Sequence, residues 1–96
     1  MAKLFGGINL NVMTDLTKVP QKVASAMSVL EDSEMTGAEY KALMYVGDSL
    51  VRGTNYHFIA EQTLVLREPI KHVVKIAVNE YKGRYEIVKG SIEVVY

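Results

Sequence analysis

The middle of the chain reads Ser49-Leu50-Val51-Arg52-Gly53-Thr54-Asn55-Tyr56-His57-Phe58, in which one glycine separates two β-prone apolar runs. Gly53 can adopt a positive φ without steric cost, so it is the natural pivot of a β-hairpin. Leu50 and Val51 are unusual beside a turn, because they place bulky aliphatic side chains where water is expected. Either they fold back onto the core, or the hairpin presents an apolar tip to a partner.

The sequence around this hairpin predicts one helix and several strands. Apolar residues at spacings of three and four predict an amphipathic helix from Thr17 to Ser33, with Pro20 in its first turn and its end before Gly37. A short strand is predicted before the helix, at 8–13, and period-two patterns predict further strands after it, at 40–46, 54–66, 70–78 and 85–88, resuming past Gly90 at 92–96. Turns or loops are predicted at 67–69 and 79–84.

A single helix followed by hairpin-connected strands indicates an α+β domain. We expect the helix to lie across a four- or five-stranded antiparallel sheet. The residues expected to be most buried are Val23, Met27, Leu30, Phe58, Val74 and Ile76.

Length and composition exclude several classes of protein. A chain of 96 residues forms one domain, 1–96, with room for a real core. Eleven basic residues balance eleven acidic ones, so no net charge attracts nucleic acid or an anionic membrane surface. No apolar run approaches the roughly 20 residues of a membrane span and no signal peptide is evident, which predicts a soluble, cytoplasmic protein.

The sequence offers little for catalysis or metal binding. The absence of cysteine excludes a disulfide framework and Cys-based zinc sites. His57 and His72 fall on different predicted strands, and no Ser-His-acid set appears in a recognisable context. Gly6-Gly7 lacks the third glycine and the preceding strand of a phosphate-binding loop. We therefore expect neither enzymatic activity nor a metal or other cofactor.

Two motifs resemble the cystatin and stefin families of cysteine-protease inhibitors. Residues 49–53 stand where that family has Gln-x-Val-x-Gly, and residues 54–56 repeat the Thr-Asn-Tyr that follows in stefins. Leu4-Phe5-Gly6-Gly7 resembles the family's N-terminal aliphatic pair and double glycine, which makes residues 1–7 a flexible arm. The element order is similar too, and the lack of tryptophan and disulfides is nearer the stefin branch. Ser49 and Arg52 depart from the family pattern.

The resemblance implies a cystatin-like fold and reversible, non-covalent inhibition of papain-like cysteine proteases. The arm and the hairpin tip would form a wedge in the active-site cleft, with Tyr81 of a neighbouring loop as a third contact. The protease-binding residues implied in this way are Leu4, Phe5, Gly6, Ser49, Leu50, Val51, Arg52, Gly53 and Tyr81. We expect these segments to meet at one end of the molecule.

Two further expectations accompany this interpretation. Arg52 stands where the family has a small residue, and its guanidinium is costly to desolvate, so inhibition should be weak or selective. The alternative function is a non-inhibitory, cystatin-fold scaffold that binds a partner or assembles as a homodimer through its sheet face or edge strands.

Overall fold

The computed structural model describes residues 7–33 and 37–96. Its elements are β1 (Asn9–Met13), a 3-10 turn (Leu16–Lys18), α1 (Gln21–Glu31), β2 (Ala38–Val51), β3 (Gly53–Leu64), β4 (Ile70–Tyr81) and β5 (Arg84–Val94). The strands form one five-stranded sheet in chain order, and each neighbouring pair is antiparallel. The predicted α+β architecture of one helix and an antiparallel sheet is confirmed.

The helix packs on one face of the sheet, here called the covered face, and leaves the opposite face, the open face, without a helix. Alternation along β3 sends Tyr56, Phe58 and Ala60 to the covered face, where each is buried. The core cluster consists of Val23, Ala26, Leu30, Tyr40, Ala42, Tyr45, Tyr56, Phe58, Ala60, Val74, Ile76 and Val78. Five of the six residues predicted to be most buried belong to it.

Met27 is the exception among the predicted core residues. Val23, Ala26 and Leu30 form the line of α1 that meets the sheet, whereas Met27 lies beside that line and is only partly buried. Its prediction as one of the most buried residues was wrong, because the contact line of this short helix is narrower than its apolar stripe.

The helix begins at Gln21, not at Thr17 as the spacing predicts. The residue before a proline is disfavoured in the α region, and Val19 accordingly turns extended, with ψ of 154°. Pro20 is extended as well and precedes the first helical turn. The segment that was predicted as the first turn of the helix is instead a 3-10 turn, capped by the Asp15 carboxylate, which accepts a hydrogen bond from the Thr17 N–H.

The strands are longer than predicted near the end of the chain. The predicted polar loop at 79–84 is a tight turn at Lys82-Gly83, both with positive φ, and the strands run up to it on both sides. The two segments predicted after it, 85–88 and 92–96, form a single strand that ends at Val94 and is interrupted by a bulge in which residues 89–92 stand opposite Ile76. Residues 79–81 and 84 therefore belong to strands although their composition is polar, because they pair across β4 and β5.

In the part of the chain that the structure describes, no helix has both the length and the apolar character needed to cross a membrane.

Candidate functional site at the hairpin end

Two turns lie side by side at one end of the sheet. This hairpin end comprises residues 50–53, between β2 and β3, and residues 81–84, between β4 and β5. Thr54 pairs with Glu80, which places the first turn against the second. Asn9 pairs with Asp48 in antiparallel fashion, so the chain enters β1 from the same end. The predicted proximity of the tip and Tyr81 is confirmed, whereas Leu4, Phe5 and Gly6 of the predicted arm lie outside the described residues.

Gly53 allows the first turn to pack directly on β4. Its φ is +84°, a left-handed conformation that side chains with a Cβ rarely adopt. A Cβ at this position would overlap the carbonyl oxygen of Glu80 and would lie 3.1 Å from the Cα of Tyr81. The close approach of the two turns therefore requires glycine here.

Asn79 fixes the conformation of the tip from the neighbouring strand. Its side-chain amide donates one hydrogen bond of 2.9 Å to the backbone carbonyl of Arg52 and another of 2.9 Å to Oδ1 of Asn55. These bonds tie the apex of the β2–β3 turn to β4. The tip is thus tied to β4 in the free protein.

Leu50 and Val51 are the exposed apolar residues of the tip. They end β2, and their side chains are 73% and 56% exposed. The alternative that they fold back onto the core is therefore wrong. Since neighbouring residues of a strand point to opposite faces, the tip presents an aliphatic side chain on each of its two sides.

Arg52 lies over the aromatic ring of the adjacent turn. Its Cζ is 5.1 Å from the centre of the Tyr81 ring, and Nζ of Lys82 is 5.3 Å from the same centre. Both distances are within the range of cation–π attraction. Among the described residues the ion pairs are Asp15–Lys18, Glu61–Lys71 and Lys75–Glu93, so neither cation has a carboxylate partner there.

A groove of about 500 Å³ runs along the open face between the two turns. It is lined by Val51, Arg52, Asn55, Asn79, Tyr81, Arg84, Glu86 and Val88. Two arginines, one glutamate and two valines contribute to the same surface, so the groove offers charged and apolar side chains together to a partner.

Ser49 occupies a different environment from the rest of the predicted tip. It is only 6% exposed, and its Oγ lies 2.8 Å from Nε2 of His57 on β3. Burial lowers the pKa of His57, and Lys75 lowers it further, while Asp48 acts in the opposite direction. With its hydroxyl bound and covered, Ser49 supports the base of the tip and is not on its outer surface.

Sequence reasoning missed Asn79 and Arg84 as residues of this end. Asn79 falls in the polar stretch that was predicted as a loop, and its partner Asn55 is 24 positions away along the chain. The only signal was the short separation of Asn79 from Tyr81, because residues two apart in a strand share a face. The residue of β3 that lies opposite Asn79 depends on the length of the β3–β4 turn, and periodicity does not determine that length.

Within residues 7–33 and 37–96, no group of three or more His, Asp or Glu side chains is arranged to hold a metal ion. A scan of protein-family models, a search of curated proteins and a search of solved structures find no match to this chain.

Proposed function

We propose that this chain is a cystatin-like, reversible and non-covalent inhibitor of papain-like cysteine proteases. The observation that carries the proposal is the exposed pair Leu50-Val51 on a turn that Asn79 holds in place and Tyr81 adjoins. An exposed apolar surface on a rigid projection is typical of a surface that a partner covers. The two motifs at residues 4–7 and 49–56 add the resemblance to the cystatins and stefins.

The mechanism we propose is occlusion of the cleft by the hairpin end. Leu50 and Val51 lose their water on either side of the tip, and Tyr81 contacts the cleft from the second turn. Binding energy comes from these few apolar residues, and the fixed conformation of the tip reduces the entropy lost on binding.

The tip is proposed to resist cleavage because its apex is already hydrogen-bonded. A scissile carbonyl must enter the oxyanion hole of the protease, where preorganised donors stabilise the developing charge. The carbonyl of Arg52 accepts a hydrogen bond of 2.9 Å from Asn79 instead. Moving it into an oxyanion hole would break that bond and pull the turn away from β4.

A titration of papain activity with the full chain tests the proposal. Leu50→Ser and Val51→Ser should each weaken inhibition about 10- to 100-fold, since each removes roughly 1.5–3 kcal/mol of apolar burial in the complex. Leu10→Ser is the matched control, because Leu10 on β1 is also 73% exposed but pairs with Gly47, away from the tip. Equal inhibition by all three variants would contradict the proposal.

A specific observation also favours the second candidate, a non-inhibitory scaffold that forms homodimers. Apolar side chains are exposed on both edge strands, with Leu10 and Val12 at 73% and 57% on β1 and Val94 at 54% on β5. Edge strands with apolar side chains tend to pair with other chains. Absence of papain inhibition, together with a dimer in sedimentation equilibrium that Val12→Lys dissociates, would favour this candidate over the inhibitor.

A further inference from the structure

A second cavity, of about 320 Å³, lies on the open face of the sheet, apart from the groove at the hairpin end. Its floor is formed by His57, Ile59 and Lys75, which point away from the helix in the centre of the sheet. Ile8 borders it on the side of β1, and Gly90 borders it on the side of β5. Residues near the two opposite edges of the sheet therefore reach the same cavity.

β-Bulges explain how the edges come together. Val46 is an extra residue in β2, between Tyr45 and Gly47, and residues 89–92 are extra in β5 opposite Ile76. Such insertions bend a strand and increase its twist, and they occur often beside binding sites. Val46 and part of the β5 bulge both line the cavity.

In the β5 bulge, the Ser91 side chain forms hydrogen bonds with backbone groups of β4 and β5. Oγ of Ser91 accepts a 2.9 Å hydrogen bond from the N–H of Ala77 and donates one of 2.5 Å to the carbonyl of Val88. The hydroxyl thus replaces a ladder partner that the bulge removes. Ala77 is fully buried although it lies on the open face, which shows how closely the bulge covers this part of the sheet.

The polar groups around the cavity carry no net charge. Nζ of Lys75 and Oε1 of Glu93 form an ion pair of 2.9 Å, so these two charges cancel. His57 is half-buried, and burial lowers its pKa, so its imidazole is neutral at neutral pH. Oγ of Ser49 forms a hydrogen bond with Nε2 of His57, so Nδ1 is the ring nitrogen that remains for another hydrogen bond.

We propose that this cavity binds a neutral aromatic molecule of one or two rings that carries a single hydroxyl group, with the rings between Ile8 and Ile59 and the hydroxyl at His57. A cavity of roughly 150 Å³ holds one benzene ring, so about twice that volume accommodates two rings. The cavity is also within the usual size range of small-molecule sites, which are mostly apolar with a few polar groups. The proposal does not depend on protease inhibition.

The test uses 1-naphthol as the probe and the full chain in solution. A titration followed by the amide signals of the protein in two-dimensional NMR should shift Ile8, His57 and Gly90, with a Kd on the order of 0.1 mM, as expected for a ligand of this size. Shifts confined to Leu50, Val51 and Tyr81, or scattered over the surface, would overturn the assignment.

Gly90→Leu adds a branched side chain at the border of the cavity, on the side of β5. A Cβ at Gly90 meets no heavy atom within 4 Å, and Gly90 is not among the glycines with positive φ. We expect the affinity for 1-naphthol to fall at least tenfold. Lys89→Leu, which adds the same side chain at an exposed position outside the cavity, should bind like the wild type. Wild-type affinity in Gly90→Leu would refute the site.

Two analogues test the class of ligand. 1-Methylnaphthalene has the same shape without the hydroxyl, and it should bind about tenfold more weakly because the imidazole then loses its partner. 1-Naphthoate must give up hydration of its charge in a cavity whose paired Lys75 and Glu93 supply no net charge, and it should also bind more weakly. Binding of either analogue as tightly as 1-naphthol would contradict a neutral, hydroxyl-bearing ligand.

Discussion

Two glycines at the hairpin end have nearly the same backbone angle but different surroundings. Gly53 has φ of +84° and Gly83 has φ of +82°. A Cβ at Gly53 would overlap the Glu80 carbonyl, whereas a Cβ at Gly83 would meet nothing within 4 Å. The pair therefore separates the cost of the left-handed conformation from the cost of the clash between the two turns.

We predict that Gly53→Ala lowers the free energy of unfolding by on the order of 2–4 kcal/mol, because it adds backbone strain and a steric overlap together. Gly83→Ala should cost only about 1–2 kcal/mol, the conformational part alone. Urea unfolding of both variants measures the difference. Equal losses would mean that the β2–β3 turn can move away from β4 at little cost.

His57 should make stability depend on pH. Its pKa in the folded protein is below the ordinary value of 6.5, mainly because of burial. Below about pH 6.5 the unfolded chain therefore binds a proton that the folded chain does not. The free energy of unfolding decreases as the pH is lowered from about 6.5, until the pH is below the pKa of the folded protein. We expect the stability advantage of the wild type over His57→Gln to be smaller at about pH 5 than at about pH 7.5. A constant difference in urea unfolding would contradict this.

At the scale of elements, Asn79 connects β4 to the tip that ends β2. Asn79→Ala removes two hydrogen bonds and leaves the Arg52 carbonyl without its donor. We predict a loss of about 1–2 kcal/mol in the free energy of unfolding and faster hydrogen exchange at the amides of residues 52–55. Asn11→Ala is the control, since Asn11 is exposed on β1 and its side chain makes no hydrogen bond within the described residues. Equal exchange rates in both variants would show that Asn79 does not hold the turn.

Periodicity predicted the type of each element better than its ends. The apolar spacing in α1 and the alternation in β3 were sufficient to predict a helix and a strand, because burial of one face produces a periodic pattern of apolar residues. The restriction that Pro20 places on Val19 can be read from the sequence, but it competes with the apolar spacing, which continues to Val19 and so extends the predicted helix. The 79–84 segment was not readable as strand, because its polar side chains are paired across the sheet at a surface end and not buried.

Contacts between distant segments account for what the sequence could not show. The carboxylate of Glu31, at the end of α1, accepts a 2.8 Å hydrogen bond from the backbone N–H of Ala42. This bond links the end of α1 to β2. The Ser49–His57 pair was hidden for the same reason, since only the register of β2 and β3 brings the two side chains together.

At the scale of the whole molecule, the strands determine which surface can enter a cleft. The molecule measures 47 × 27 × 26 Å. Its longest dimension is similar to the length of β2, because 14 residues of a strand, at a rise of about 3.3 Å per residue, span about 46 Å. The hairpin end is therefore one narrow end of an elongated body. Because α1 packs along the covered face, the tip can approach a partner without a collision from the helix.

The last prediction concerns Arg52 in the complex with a protease. Its guanidinium has no carboxylate partner in the described chain and lies over Tyr81 at the leading end of the molecule. A protease with a neutral cleft rim must desolvate this charge, at a cost of about 1–3 kcal/mol, so Arg52→Ala should tighten inhibition roughly 10- to 100-fold. A protease with an acidic rim offers a bidentate carboxylate contact, so the same substitution should weaken inhibition.

Lys82→Ala provides the matched control for this substitution. Lys82 lies at a similar distance from the Tyr81 ring, 5.3 Å against 5.1 Å, but it belongs to the second turn and not to the tip. Removing it deletes a cation from the same ring while residues 50–53 stay unchanged, so it should change inhibition of either protease less than Arg52→Ala does. If Lys82→Ala reproduces the effects of Arg52→Ala, selectivity arises from the total charge of the hairpin end. If Arg52→Ala changes the inhibition of neither protease, Arg52 is not in the cleft, and the part of the proposal that places the tip there is wrong.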